Sequence, residues 1–201
     1  MISHQHQCIF IHQRKAAGTA IINAFGFKPA DPDWHVVNDG ILSNDWNTVI
    51  GRYPHYLVIA VIRNPWDRFI SGWKYLPTLR HLSIEQVLSK MPVDGHDYRH
   101  LTRPQCDTLV LEEESLVVDV VLRFEHLSDD IALLSHHLRC DLSLQHLNAT
   151  SNEGLLAYKR QEQIDAVATL FKKDIELFGY EFSTDTPGPT FCKHDFSKLG
   201  S

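Results

Sequence analysis

The sequence predicts an α/β protein with a central, mainly parallel sheet flanked by helices. Leu57–Ile62 (Leu-Val-Ile-Ala-Val-Ile) is apolar at every position, as a strand buried on both faces must be. Cys8–Ile11 is a further run of that kind, and residues 117–124 read as another buried strand, leading into Arg123-Phe124-Glu125. Between and after these runs, apolar residues recur at helical spacing, so strands alternate with helices. Ligands of such sheets bind beyond the carboxyl ends of the strands, which singles out the residues that follow each run.

The first run opens the chain's most informative stretch. A basic turn (Arg14, Lys15) and Gly18 follow it, then Ile21, Ile22 and Phe25 at helical spacing, with Gly26 as the stop. A strand, a turn carrying a lysine and a helix make a phosphate cradle. The backbone at Ala17, Gly18 and Thr19 would face the anion, Arg14 and Lys15 would supply charge, and the helix dipole would add ~0.3–1 kcal/mol. This is not a Walker A loop, which needs Lys-Ser/Thr directly after its second glycine. Here Lys15 precedes Gly18-Thr19, and Ala20 follows. An ordinary strand-to-helix turn is the competing reading.

Residues 28–45 read as loop, with Pro29, Pro32 and Gly40, some helix around 36–42, and Trp34-His35 within it. After Leu57–Ile62 comes Arg63, then Asn64-Pro65 as N-cap and first helical residue. Trp66, Phe69, Ile70 and Trp73 form one apolar face; Asp67, Arg68 and Ser71 lie off it. Ser83-Ile-Glu-Gln86 is a capping box for a helix with Ile84, Val87, Leu88 and Met91 on one side, ended by Pro92. Residues 94–104 are polar and read as irregular. Ser128 is placed as the cap of a helix with Ile131, Leu134 and Leu138 inward and His136-His137 near its negative end. A last long helix over 161–178 turns Ile164, Val167, Phe171, Ile175 and Phe178 inward. Residues 1–182 read as one domain, and 183–201, rich in Ser, Thr, Pro and Gly, as a loosely held tail.

Composition removes several classes. A net charge of −6 over 201 residues gives no basis for non-specific nucleic-acid binding. No apolar run approaches the ~18 residues of a membrane span. No basic, then apolar, leader precedes Cys8. Cys8, Cys106, Cys140 and Cys192 are widely spaced without a CxxC pair, which suits reduced thiols in a cytoplasmic protein. The 13 histidines include no HExxH, and Asn148-Ala149-Thr150 reads as a polar loop rather than a glycosylated one.

Arg63 and Ser71 are a second candidate anion site. Eight residues apart, they would span about 12 Å along a helix, so a ligand touching both lies along the helix flank. The competing reading pairs Arg63 with Asp67 and leaves Ser71 as a small surface residue.

Ile9 to Ile21 resembles the 5′-phosphosulfate-binding loop of the Golgi-type carbohydrate sulfotransferases and their bacterial relatives, and Ile62 to Ser71 resembles that family's 3′-phosphate motif, Arg-Asn/Asp-Pro-x-x-Arg-x-x-Ser. Arg103-Pro104-Gln105, Arg123-Phe124-Glu125-His126-Leu127 and Asp174 to Tyr180 are similar in order and spacing. The resemblance implies a three-layer, P-loop-like fold. It implies transfer of a sulfuryl group from 3′-phosphoadenosine-5′-phosphosulfate (PAPS), leaving PAP, to a hydroxyl of a carbohydrate-type acceptor. Lys15 would stabilise the leaving oxygen, Arg63 and Ser71 would hold the 3′-phosphate, and no metal would be required. Relatives place a catalytic histidine between the two motifs, which leaves His35 and His55. His35 is preferred as base, because His55 precedes a strand at its amino end. His55, His100, Gln105, Arg123 and Glu125 are acceptor-side candidates.

Ala16 and Ala20 depart from the family's usual Thr and Ser, and Gln13-Arg14 from its usual residues before the lysine. A non-catalytic relative that binds PAP or another nucleotide is therefore the alternative. A Mg²⁺-dependent nucleotide kinase is the third reading, opposed by Ala20.

Overall fold

Among the described residues, five strands form one open sheet in chain order: β1 (Ile2–Ser3), β2 (Cys8–Ile11), β3 (Leu57–Ile62), β4 (Val120–Arg123) and β5 (Phe191–Cys192). The computed structural model describes residues 1–27, 43–91, 93–110, 116–144, 152–183 and 191–192. β2, β3 and β4 are parallel, while β1 and β5 add antiparallel edges. The chain is thus an α/β protein with an open, mostly parallel mixed sheet flanked by helices.

The parallel core forms where both faces of a strand are apolar: every residue of β2 and β4 is buried, and only Leu57 of β3 is partly exposed. Registers of Ile11 with Ala60 and Ile62 with Arg123 bring the three carboxyl ends to one edge. β4 is shorter than its apolar run. Asp119 interrupts it, accepting from the Val58 amide through its carboxylate and donating its own amide to the Val58 carbonyl, both at 2.8 Å. β1, too short for a sequence signal, pairs Ile2 with Ile9. Within the tail expected to be loose, Phe191–Cys192 pairs with β4.

The described helices are α1 (Gly18–Ala24), α2 (Ser43–Arg52), α3 (Pro65–Tyr75), α4 (Ile84–Leu88), α5 (Gly95–Leu101), α6 (Cys106–Leu109), α7 (Leu127–Leu138), α8 (Gln161–Leu170) and α9 (Lys172–Phe178). Phe124–His126 and Asn152–Ala157 are 3-10 turns. The chain divides into two compact units. One comprises Met1–Ile62, Asp107–Leu147 and Pro189–Ser201; the other comprises Arg63–Cys106 and Asn148–Gly188. One boundary falls in the turn between β3 and α3, and another inside α6.

Asn64 caps α3 as its sequence requires, its side chain accepting from the Trp66 amide, with Pro65 in the first turn. The single apolar face expected there is only part of what is buried: Asp67 and Arg68 are buried as well. The Arg68 guanidinium donates to the Arg103 carbonyl and lies 4.9 Å from the Phe171 ring centroid. The Ser83–Gln86 capping box is present in both directions.

Three expectations need correction. Residues 95–101 are helical where an irregular segment was expected; Asp97 in the first turn and Arg99 and His100 in the last complement the helix dipole. His126, not Ser128, is the N-cap of α7, and it makes no side-chain cap. The helix expected over 161–178 is two, because Phe171 leaves helical geometry (φ −113, ψ 26) as its ring buries against Arg68. The possible helix at 36–42 and the sequon at Asn148 lie outside the described residues.

Candidate functional site

In the first unit, β2 runs into a tight loop over residues 12–17 and then α1. Two of its residues are left-handed without being glycine, Lys15 at φ 67 and Ala17 at φ 57. Such conformations cost about 1–3 kcal/mol each and persist where surroundings over-determine them. Left-handed residues in a turn can bring successive backbone N–H groups together in the nest geometry that binds anions.

The surroundings are visible. Gln13 is buried and donates its side-chain amide to the Thr108 hydroxyl. The His12 ring lies over Gly18, where an added Cβ would sit 1.9 Å from His12 Nε2. Gly18 is therefore glycine because His12 occupies the space of a side chain. His12 also stacks on Phe10, at 6.0 Å between centroids. Sequence reasoning missed His12 as a loop-shaping residue, although a glycine at the foot of a basic turn was the available signal.

Arg14, Lys15 and Ala17 are half-buried, Gly18 is buried and Thr19 is exposed. The seven residues of α1 make a weaker dipole than a long helix, so an anion would rely on the loop's amides and cations. Arg123 ends β4 at the same sheet edge, its amide donating to Asp130 Oδ2 at 2.8 Å, and half-buried Glu125 follows in the 3-10 turn. His55 is exposed just before β3, at the opposite, amino end. His35 lies outside the described residues.

In the second unit, Arg63 is 4% exposed. Its Nε and Nη2 both donate to Asp67 Oδ2, at 2.7 and 2.6 Å. The ion pair weighed from the sequence is thus present, and Asp67 is held in turn: a Cβ on Gly154 would lie 1.8 Å from Asp67 Oδ1. Ser71 is half-buried on α3.

Gln105, expected near the acceptor, has no exposed surface. Its side chain accepts from the Arg63 amide at 2.9 Å and donates to the Arg63 carbonyl at 3.0 Å, a structural use of both ends. His100 is buried against the Tyr75 and His96 rings, at 5.1 and 4.3 Å between centroids. Its Nδ1 lies 3.0 Å from the His96 carbonyl, which can only accept, so Nδ1 carries the proton. Its backbone carbonyl packs on Gly72, beside Ser71.

Among the described residues no cluster of three His, Cys, Asp or Glu side chains could hold a metal ion, and no helix is long and apolar enough to cross a membrane. Fold and site together define an α/β protein with a strained, cationic loop beyond a buried parallel strand. Comparison with protein-family models, curated proteins and solved structures finds no match to this chain.

Proposed function

We propose that the chain is a PAPS-dependent sulfotransferase acting on a hydroxyl of a carbohydrate-type acceptor, with the three-layer, P-loop-like arrangement and cytoplasmic setting that reading entails. The observation that carries it is the loop 12–17: two left-handed non-glycine residues, one of them a lysine, directly beyond a buried parallel strand. The donor set suits the group, since residues 12–19 contain Arg14 and Lys15 and no acid.

In this reading the loop amides, Arg14, Lys15 and Thr19 bind the 5′-phosphosulfate, and Arg63 and Ser71 bind the ribose 3′-phosphate. His35 takes the acceptor's hydroxyl proton as the new oxygen–sulfur bond forms. The bond from sulfur to the bridging oxygen breaks, its electron pair stays on that oxygen, and Lys15 stabilises the charge left on PAP. A positioned base contributes ~10²–10⁴-fold.

The Arg63–Asp67 ion pair and the alanines at 16 and 20 favour a second reading, binding of PAP without transfer. The experiment is PAP release from PAPS over a panel of hydroxyl acceptors, for the parent and His35→Ala. The enzyme reading expects turnover that His35→Ala abolishes while PAP binding persists. PAP binding without turnover supports the second reading, and no binding of either nucleotide overturns both.

A further inference from the structure

We propose that Gln105 and Asp174 are positioning residues for Arg63, fixing the main chain from which its guanidinium projects. The proposal rests on the reading of Arg63 as a 3′-phosphate ligand.

Arg63 lies between the last residue of β3 and the cap of α3. Gln105 bonds its amide and its carbonyl from one side-chain amide, at 2.9 and 3.0 Å. A side chain that bonds both polar groups of one residue fixes that residue's peptide planes in position and rotation. Gln105 is fixed in turn. Asp174, in the first turn of α9 and fully buried, accepts from the Gln105 amide through Oδ2 and from the Cys106 amide through Oδ1, both at 2.8 Å. Its Oδ2 also lies 3.4 Å from Gln105 Nε2.

A buried carboxylate is costly unless its lone pairs are engaged, and here they are engaged on the segment that holds Arg63. Three stretches far apart in sequence, around Arg63, Gln105 and Asp174, are thereby joined through hydrogen bonds that converge on one backbone unit. Arg63's side chain is aimed by Asp67, and its main chain by Gln105 and Asp174. A guanidinium that must meet a phosphate by directional hydrogen bonds is sensitive to small shifts of its root.

The test compares dissociation constants for PAP and ADP, by calorimetry, in the parent, Gln105→Met and Asp174→Asn, with thermal unfolding of each. Gln105→Met keeps volume and removes both bonds to Arg63. Val87→Ala, a cavity elsewhere in the same unit, is the control for lost stability. The expected result is about tenfold weaker PAP binding in Gln105→Met, with ADP unchanged, a shift in the same direction for Asp174→Asn, and no change of preference in Val87→Ala. If Gln105→Met does not fold, Gln105→Glu, which retains an acceptor for the Arg63 amide, is read by the same criterion. A folded Gln105 variant that keeps the parent's preference overturns the proposal and leaves the function reading standing. Equal loss in Val87→Ala also overturns it. A parent that binds PAP and ADP equally overturns the reading of Arg63, and this proposal with it.

Discussion

Removing Asp67 isolates what holds Arg63. The pair consists of two hydrogen bonds, 2.7 and 2.6 Å, onto one carboxylate oxygen, with side chains 5% and 11% exposed. At an effective dielectric of ~20 two charges ~4 Å apart attract by about 4 kcal/mol, and deleting one partner of a buried pair costs ~3–5 kcal/mol because the other charge stays behind. For a chain of this size ~1 kcal/mol corresponds to roughly 2–4 °C, so Asp67→Ala is expected to lower the melting temperature by about 6–20 °C. Arg63→Ala is expected to cost a similar amount, and the double variant less than the sum by ~0.5–3 kcal/mol. Calorimetric melts of the four proteins measure this. Added inorganic phosphate is expected to raise the melting temperature of Asp67→Ala more than that of the parent, since the anion replaces the missing carboxylate. Additive single costs, or no extra phosphate response, would refute the reasoning.

Gly18→Ala forces its Cβ against the His12 ring, so thermal unfolding is expected to show a loss of about 1–3 kcal/mol that His12→Ala partly restores. Burial pushes the Cys8 thiol up to about 12, with Cys140 as a lesser cause; maleimide labelling near pH 8 is expected to modify half-exposed Cys140 well before Cys8. The hydrogen bond from Arg160 holds the Glu85 carboxyl down to about 2 from an ordinary 4.5. A depressed carboxylate contributes above its unfolded value and loses that contribution as pH falls through its folded one. The Glu85–Arg160 contact is therefore expected to survive below pH 4.5 and vanish near pH 2, as the Glu85 carboxyl carbon shift would show in NMR.

The parts of the fold that were legible are those whose cause is local. β2 and β3 match their apolar runs residue for residue, and Asn64-Pro65 and the Ser83 box cap their helices through their own side chains. What was not legible depends on partners distant in sequence. Asp119 ends a pairing from within an apolar run by bonding to Val58. Phe171 breaks a continuous helical period where its ring packs 4.9 Å from the buried Arg68 guanidinium. The two-residue strands β1 and β5 take their identity from the neighbour they pair with.

The candidate site divides the same way. Spacing placed Lys15 and Arg63 just past strand ends, which the strand bounds bear out. Spacing also raised the Arg63–Asp67 pair, an i,i+4 contact. It could not show that His12 fills the space above Gly18, or that Gln105 serves the Arg63 backbone across 42 positions. Polar residues in a short segment read as surface until the group they satisfy is known.

The central claim of the proposed function is that Arg63 holds the ribose 3′-phosphate of the nucleotide. Titration calorimetry of PAP and ADP against the parent and Arg63→Ala tests it most directly. The account predicts that the parent prefers PAP by about tenfold or more, and that Arg63→Ala erases this preference with ADP affinity unchanged. Equal affinity of the parent for PAP and ADP would contradict it.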